Sequence, residues 1–302
     1  MEISRIKDHY DVLENNIHFY RENGHVFLPN VCSQGEINFF RNKIKKASIE
    51  KFPKMPSMEE RPEDDFSRAF LQTFNLHEDS PELEGFCLSP RFGKIAADLM
   101  GVNAVRHYYN KPMFKEPSSW ITPWHQDGPH WPITSNNMLT MWIALVDIDY
   151  DMGPVRFASK THKNKYFGPK GITKDTESFY LKYIEENNFE ISEISFKAGD
   201  VSVHNHWTIH GAGPNNSQSM REVMAITMYE DGLIVDQSIC KSEITMMPNV
   251  NKEINKEENG GMVDLNDLDQ DGIVRDPYLG GRIHGEIADS NRNPILFSYN
   301  NS

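Results

Sequence analysis

The chain has 302 residues, of which 38% are hydrophobic and 25% are charged, so it carries enough apolar material for a core and is not globally disordered. Its net charge of −13 and sequence pI of about 5.4 describe an acidic surface that repels nucleic-acid phosphates and anionic lipid heads. Nucleic acids and membrane surfaces are therefore not expected as general partners, whereas a small molecule is.

Two helices are predicted in the N-terminal third of the chain. Ser33 and Glu36 have the spacing of a capping box, and apolar residues follow them at helical intervals. These apolar residues are Ile37, Phe40, Ile44 and Ala47. A second helix is expected after Ser89, with Pro90 in its first turn, and it ends at Gly101.

The middle of the chain changes to a pattern of short buried strands. The runs 140–146 and 222–228 are mostly apolar and are interpreted as buried strands, and turn signals punctuate the region around them. These turn signals lie at 151–154, 198–200 and 213–216. A helical insertion is expected at about 174–187. The pattern is typical of a jelly-roll barrel, so we predict a mainly β fold with helices packed outside the barrel.

We predict a single domain, 1–302, because no internal repeat or linker divides the chain. Its parts are a helical N-terminal part of about 1–101, a jelly-roll core of about 102–235 and a C-terminal extension of about 236–302. The polar stretch 251–261 within the extension is expected to form a loop.

The first candidate site residues are His125 and Asp127, which are separated by Gln126. In an extended segment, side chains two residues apart project to the same face. The imidazole and the carboxylate can therefore point together into a barrel and bind one metal ion. Taken alone, the His-x-Asp pattern is weak, because it occurs often by chance.

Three histidines close together supply the second candidate group: His204, His206 and His210. Two imidazoles and one carboxylate on one face of an iron ion leave the opposite positions open for a co-substrate and dioxygen, which is the ligand set of non-haem iron(II) oxygenases. We choose His210 as the third ligand because of the arginine that follows it. His204 and His206 are interpreted as polar or packing residues near the site.

Arg221 lies eleven residues after His210, at the start of an apolar strand. A buried arginine needs an anionic partner, and its planar fork matches a carboxylate. One partner is an internal aspartate or glutamate in an ordinary ion pair. Beside a metal triad, the better partner is the far carboxylate of 2-oxoglutarate.

The motifs taken in order resemble a known family. The string TPWHQDGPHWP at 122–132 is followed by MWIALVD at 141–147 and GPVRFAS at 153–159. Further on come AGD at 198–200 and MREVM at 220–224. This series resembles the phytanoyl-CoA dioxygenase family, and the resemblance extends from about residue 20 to about residue 297.

The resemblance implies a double-stranded β-helix fold, which is a jelly roll, and a coupled oxidation. Members use iron(II), 2-oxoglutarate and O2, and they release succinate and carbon dioxide while oxidising, usually hydroxylating, a substrate. Carried over by position, His125, Asp127 and His210 would be the iron ligands, and Arg221 would anchor 2-oxoglutarate. Because relatives that halogenate lack the carboxylate, Asp127 favours hydroxylation over chlorination.

Three further pocket residues are implied by the resemblance. Gln126 and Trp142 match positions that line the co-substrate pocket, and Lys111 aligns with another pocket position where a basic residue would help to bind an anionic group. One departure concerns Ala212, which stands where some members have a small hydroxyl residue. Arg221 would therefore lack that helper.

Two other patterns keep alternative interpretations. The acidic segment 264–272 begins like an EF-hand loop from Asp267, but Tyr278 stands where the bidentate glutamate is required, so a solvated loop is the better interpretation. An aromatic group forms either a substrate wall or barrel packing; its members are Trp120, Trp124, His130 and Trp131.

Two alternative functions remain open at this stage. One is a cupin-like metalloenzyme that does not use 2-oxoglutarate, and the other is a catalytically silent jelly roll that binds a small molecule. Three widely separated cysteines, Cys32, Cys87 and Cys240, favour reduced thiols and a cytoplasmic location. The sequence indicates neither the primary substrate nor the oligomeric state.

Overall fold

The computed structural model describes residues 6, 8–51, 57–61, 68–133, 135–165, 168–169, 171–236 and 276–300. Three predictions lie outside these residues: the acidic segment 264–272, the loop at 251–261 and the thiol of Cys240. Cys32 and Cys87 lie within them as buried free cysteines.

Helices frame the N-terminal part of the fold. They are α1 Glu14–Asn23, α2 Gln34–Lys51, α3 Pro81–Cys87 and α4 Pro90–Met100. The predicted capping box at the start of α2 is present, because Ser33 and Glu36 exchange hydrogen bonds between their side chains and backbone N–H groups. Ser89 caps α4 and Gly101 ends it in the left-handed conformation, as the sequence pattern predicts. Helices α1 and α3 were not predicted from the sequence.

Eleven strands form two antiparallel sheets within the described residues. They are β1 His25–Leu28, β2 Leu71–Gln72, β3 Ala104–Lys115, β4 Thr122–His125, β5 Met138–Ala144, β6 Val155–Ala158, β7 Ile191–Glu193, β8 Val201–Asn205, β9 His210–Ala212, β10 Arg221–Glu230 and β11 Ile295–Ser298. The large sheet has the order β1-β8-β5-β10-β3-β11, with β2 also paired to β3, and the small sheet has the order β4-β9-β6-β7. The predicted mainly β, jelly-roll class is confirmed.

The two predicted apolar runs form the centre of the large sheet. They correspond to β5 and β10, which pair with each other over seven residues. The predicted helical insertion is α5 Lys174–Glu186, which begins with a capping box formed by Thr173 and Thr176. Strand β1 precedes the predicted core 102–235 in the sequence and β11 follows it, yet both pair within this sheet. The two flanking parts of the chain therefore complete the sheet.

Strand β10 separates the hydrophobic core from the site, because its side chains alternate between two faces. Met224, Ile226 and Met228 belong to the main apolar cluster, together with residues of α2 and α4. Arg221, Ala225 and Thr227 on the other face line a cavity between the sheets. Among the described residues, no helix is both long enough and apolar enough to cross a membrane.

Candidate active site

A cavity of about 120 Å³ lies between the two sheets, and side chains from both sheets line it. The large sheet contributes adjacent positions across three strands, since Ala225 of β10 is paired with Trp142 of β5 and with Lys111 of β3. The small sheet contributes His125 and His210. Residues that are far apart in the chain therefore share one enclosed space.

Cross-strand pairing brings the two histidines together. His125 is the last residue of β4, His210 is the first residue of β9, and the two are directly opposite each other in the antiparallel register. Their ring centroids lie 4.2 Å apart. A Cβ atom at Gly211 would lie 2.8 Å from the carbonyl oxygen of Thr122, so glycine allows this close approach of the strands.

Asp127 faces both imidazoles and completes a possible metal site. Its Oδ1 lies 3.9 Å from Nε2 of His125, and its Oδ2 lies 3.9 Å from Nε2 of His210. One candidate ligand atom from each of the three residues lies within 4.8 Å of the other two. Two nitrogens and an oxygen at this spacing can contact a common ion.

The imidazoles are oriented for metal binding. Nδ1 of His125 donates to the carbonyl of Pro123 over 2.7 Å, and Nδ1 of His210 donates to the carbonyl of Thr208 over 3.0 Å. A proton held on Nδ1 leaves the lone pair of Nε2 directed at the site, which is the usual arrangement of metal-binding histidines.

The charges of these three residues suit a divalent metal ion. Burial lowers the pKa of His125 to about 3 and that of His210 to about 4, so both rings are neutral near pH 7. Burial alone would raise the pKa of Asp127, but the imidazoles of His210, His204 and His125 outweigh it and hold this pKa well below its usual range. Neutral imidazoles and an ionised carboxylate form a donor set that fits iron(II).

His204 lies at the site although the sequence analysis treated it as a packing residue. Its Nε2 lies 3.5 Å from Oδ2 of Asp127, and its ring centroid lies 4.3 Å from that of His210. Within the described part of the chain, neither buried ring nitrogen has a hydrogen-bond partner. The same side-chain alternation along the sequence, applied to β8 as it was to His125, could have indicated that His204 points inward.

Arg221 is buried in the same cavity, and its charge is incompletely satisfied. Its Nη1 donates to the carbonyl of Gly153, whereas its Nε has no hydrogen-bond partner among the residues that the structure describes. Gly153 has φ +64° and a Cβ there would lie 2.3 Å from the carbonyl of Gly213, so a glycine is required at this turn. The guanidinium lies over the Trp142 ring at 5.4 Å, and burial lowers the pKa of Arg221 to about 9.

The ordinary ion pair considered for Arg221 does not occur among the described residues, where its partners are the Gly153 carbonyl and the Trp142 ring. An anion that enters the cavity would meet the free Nε. Trp142 and Lys111 also line the cavity, as does Ala212, the residue that replaces the hydroxyl helper.

Gln126 is not among the described residues that line this cavity. Its side-chain amide donates to the carbonyls of Trp207 and Lys165, over 2.6 and 3.1 Å, and its Oε1 accepts from the hydroxyl of Tyr180. The physical reason is that the chain turns at the end of β4, so His125 and Asp127 face the cavity while the side chain of Gln126 between them points towards the Trp207 and Lys165 carbonyls.

The four aromatic residues predicted as either substrate wall or barrel packing do not all lie in the same place. Trp131 and His130 line the cavity. Trp124 is fully buried in a separate cluster with Tyr180 and other residues packed against α5, and Trp120 lies 4.9 Å from the Arg68 guanidinium outside the cavity. Two of these side chains therefore belong to the wall and two to packing.

Comparison with known proteins finds a matching family and related sequences. The phytanoyl-CoA dioxygenase (PhyH) family profile matches residues 20–223. A protein of Stutzerimonas stutzeri, described as a probable alpha-ketoglutarate-dependent hypophosphite dioxygenase, is 26% identical over 150 residues, which are 48% of this chain and 51% of that protein. The peroxisomal phytanoyl-CoA dioxygenase of Bos taurus is 25% identical over 242 residues, covering 70% of this chain and 68% of the bovine protein. The match thus spans about half of the bacterial relative.

Solved structures share the fold. The alpha-ketoglutarate-dependent carbocyclase SnoK from nogalamycin biosynthesis has a TM-score of 0.69 at 22% identity, with 94% of this chain and 96% of SnoK covered. The epimerase SnoN, solved with Fe3+, alpha-ketoglutarate and nogalamycin RO, has a TM-score of 0.65 at 19% identity, with coverage of 94% and 98%.

A jelly roll that encloses two imidazoles and a carboxylate at one cavity defines the non-haem iron oxygenase class. Within that class, the chain belongs to the phytanoyl-CoA dioxygenase family.

Proposed function

We propose that the chain is an Fe(II)- and 2-oxoglutarate-dependent dioxygenase that hydroxylates a small metabolite or a natural-product intermediate and releases succinate and carbon dioxide. The observation that carries this proposal is one cavity that contains both a metal donor set and a buried arginine with a free Nε. Family membership and the class of the relatives support it.

His125, Asp127 and His210 would hold the iron, with their Nε2 and carboxylate oxygen atoms. Iron of this class supplies the activation of dioxygen and the oxidation of a C–H bond. The chain's own contribution is orientation: the carbonyls of Pro123 and Thr208 fix the two rings, so the donor atoms already face one point.

Arg221 and Trp142 would hold the far carboxylate of 2-oxoglutarate. The Gly153 carbonyl accepts one N–H of the guanidinium and leaves Nε free for an anion. The Trp142 ring covers one face of the guanidinium and keeps water from it. Ala212 offers no hydroxyl to the same carboxylate, so the arginine would supply most of its hydrogen bonds.

The cavity wall supports a small, partly apolar substrate. Phe70, Phe74 and Ile172 line it together with Trp131. The printed names of similar proteins cover a hypophosphite dioxygenase, a phytanoyl-CoA dioxygenase and two enzymes of nogalamycin biosynthesis. This range supports a small molecule as the substrate class and no particular compound.

The test measures succinate formation by the purified protein with Fe(II), 2-oxoglutarate and a metabolite library. We expect turnover that requires both additions, no turnover in His210→Ala, and at least a tenfold weaker affinity for 2-oxoglutarate in Arg221→Met. A His25→Phe variant serves as the control, because His25 is a buried imidazole that contacts Phe157 rather than Asp127.

Succinate formation that persists in His210→Ala would contradict the ligand assignment. Binding of zinc or manganese without any binding of 2-oxoglutarate would favour a cupin-like metalloenzyme. A protein that binds a small molecule and forms no succinate with any library member would favour a silent binding jelly roll.

A cytoplasmic location is also proposed. The buried free thiols of Cys32 and Cys87 support a reducing compartment. Fractionation of the source cells would test it, and recovery with a membrane or secreted fraction would contradict it.

A further inference from the structure

Lys111 is a second cation in the cavity, and it belongs to the inward face of β3. Tyr109, Lys111 and Met113 alternate on that strand and all line the cavity. Across the sheet, Lys111 pairs with Ala225, which pairs in turn with Trp142 on the far side of β10. Lys111 and Trp142 therefore stand two strand spacings apart, about 10 Å between backbones.

The ammonium group of Lys111 has no hydrogen bond or ion pair among the residues that the structure describes. Its Nζ lies 5.8 Å from the ring centroid of Tyr109 and 6.0 Å from that of Phe74. Burial lowers the pKa of Lys111, and Asp127 acts in the opposite direction. An ammonium that lies in a cavity beside two aromatic rings is less well solvated than one in water, so an anion in the cavity would stabilise it.

The neighbouring cations are satisfied differently. Lys115, on the same face of β3, donates to the carbonyls of Ala69 and Trp120 and is fully buried. Arg221, which is paired with Lys115, donates to the Gly153 carbonyl and reaches towards Trp142. Lys111 instead lies beside the rings of Tyr109, two residues earlier on β3, and of Phe74, so the two cations of the cavity have different neighbours.

The two carboxylates of 2-oxoglutarate have partners other than Lys111. The proposed function, on which this inference rests, assigns one carboxylate of 2-oxoglutarate to the metal and the other to Arg221. Lys111 is then left for a third anionic group beside the aromatic wall that Phe70, Phe74, Tyr109 and Trp131 form.

We infer that Lys111 binds an anionic group of the primary substrate, and that this substrate is an amphipathic anion whose apolar part packs against the aromatic wall. The anion would be a carboxylate or a phosphonate, since both match a compact ammonium. This makes Lys111 a specificity-determining residue, because a neutral analogue would leave the ammonium unpaired inside the cavity.

The experiment compares anionic probes with their neutral amides on protein loaded with Mn(II) and 2-oxoglutarate, which binds without turnover. The pairs are phenylacetate with phenylacetamide and hexanoate with hexanamide, and calorimetry measures each dissociation constant. For at least one pair, we expect wild type to bind the anion tenfold or more tightly than the amide. Lys111→Met should bind both members of that pair equally, and Lys111→Arg should restore the preference.

Lys174→Met is the matched control, because Lys174 also packs on an aromatic ring, at 5.5 Å from Trp120, but lies outside the cavity. It should keep the wild-type preference. Circular dichroism and melting temperature show whether each variant is folded.

Two results would overturn the inference. One is the absence of any anion preference in wild type for both pairs. The other is a tenfold loss of 2-oxoglutarate affinity in Lys111→Met, which would assign the ammonium to the co-substrate. Failure of wild type to bind 2-oxoglutarate would instead reject the proposed function, and the anion and amide probes still report on Lys111 in the Mn(II) protein alone.

Discussion

His204 shows how a single residue can support a metal site without belonging to its three donors. Asp127 has two oxygens, and Oδ2 lies 3.5 Å from Nε2 of His204 and 3.4 Å from the hydroxyl of Thr140. These two residues are paired across β5 and β8. A donor at each position would hold the carboxylate in one orientation, which leaves Oδ1 for a metal.

Substitution of His204 is predicted to weaken metal binding while the ligands stay in place. We expect His204→Phe to raise the dissociation constant for Co(II) by about ten- to a hundredfold, since loss of such supporting partners typically has that effect. The visible absorption of Co(II) during titration measures it without turnover.

His25→Phe provides the matched control for His204. His25 stands directly opposite His204 on β1, is equally buried, and its Nε2 interacts with Ser159 rather than with Asp127. Thr140→Val removes the second support of the carboxylate and should act in the same direction as His204→Phe. Equal Co(II) affinity in wild type and both supporting-residue variants would show that His204 and Thr140 only fill space.

At the scale of elements, helix α2 is attached to β10 through Glu222. Its buried carboxylate accepts from Nε of Arg41 over 2.6 Å and from Nζ of Lys45 over 2.7 Å, both on α2. Burial alone would raise the pKa of Glu222, but these two cations outweigh it and lower the pKa. The preceding residue, Arg221, faces the cavity, so this contact holds the strand at the site.

This contact is predicted to make stability depend on pH. A carboxyl group whose folded-state pKa is lowered stabilises the fold above its unfolded pKa of about 4.3, and that stabilisation is lost as pH falls through the folded-state value. Glu222→Gln should lower the free energy of unfolding by about 2 kcal/mol at pH 7. Between about pH 5 and pH 3, the Glu222→Gln variant should lose less stability than wild type.

Urea unfolding at pH 7 and at lower pH measures the Glu222 effect. Glu193→Gln is the control, because Glu193 is an exposed carboxylate on β7. A Glu222→Gln protein as stable as wild type at neutral pH would mean that the two ion pairs contribute nothing beyond their own desolvation.

At the scale of the whole molecule, periodicity and short motifs predicted the elements, but not the register between them. The helices α2, α4 and α5 have local signals in their caps and apolar spacing, so they were found. Which residues face each other across strands, such as Lys111 and Ala225 or His125 and His210, depends on the register, and a single sequence does not contain that information.

Two residues that the resemblance had suggested for the pocket differ in the direction of their side chains. Trp142 and Gln126 were both expected in the co-substrate pocket, yet only Trp142 lines the cavity. Gln126 is tied instead to the loop carbonyls of Trp207 and Lys165. Both residues were selected by their positions in the family motif, but only the side chain of Trp142 points into the cavity.

The two halves of the site belong to different sheets. His125 and His210 come from β4 and β9 of the small sheet, whereas Arg221 and Trp142 come from β10 and β5 of the large sheet. A 2-oxoglutarate molecule held at both ends would therefore act as a removable cross-link between the layers of the barrel.

Such a cross-link couples the two ligands thermodynamically, because the metal prepares one end of the span that the co-substrate must bridge. We expect Mn(II) and 2-oxoglutarate together to raise the melting temperature by more than the sum of their separate effects. Arg221→Met should retain the shift caused by Mn(II) alone and lose the excess. Strictly additive shifts in wild type would mean that the two layers are already locked together before any ligand arrives.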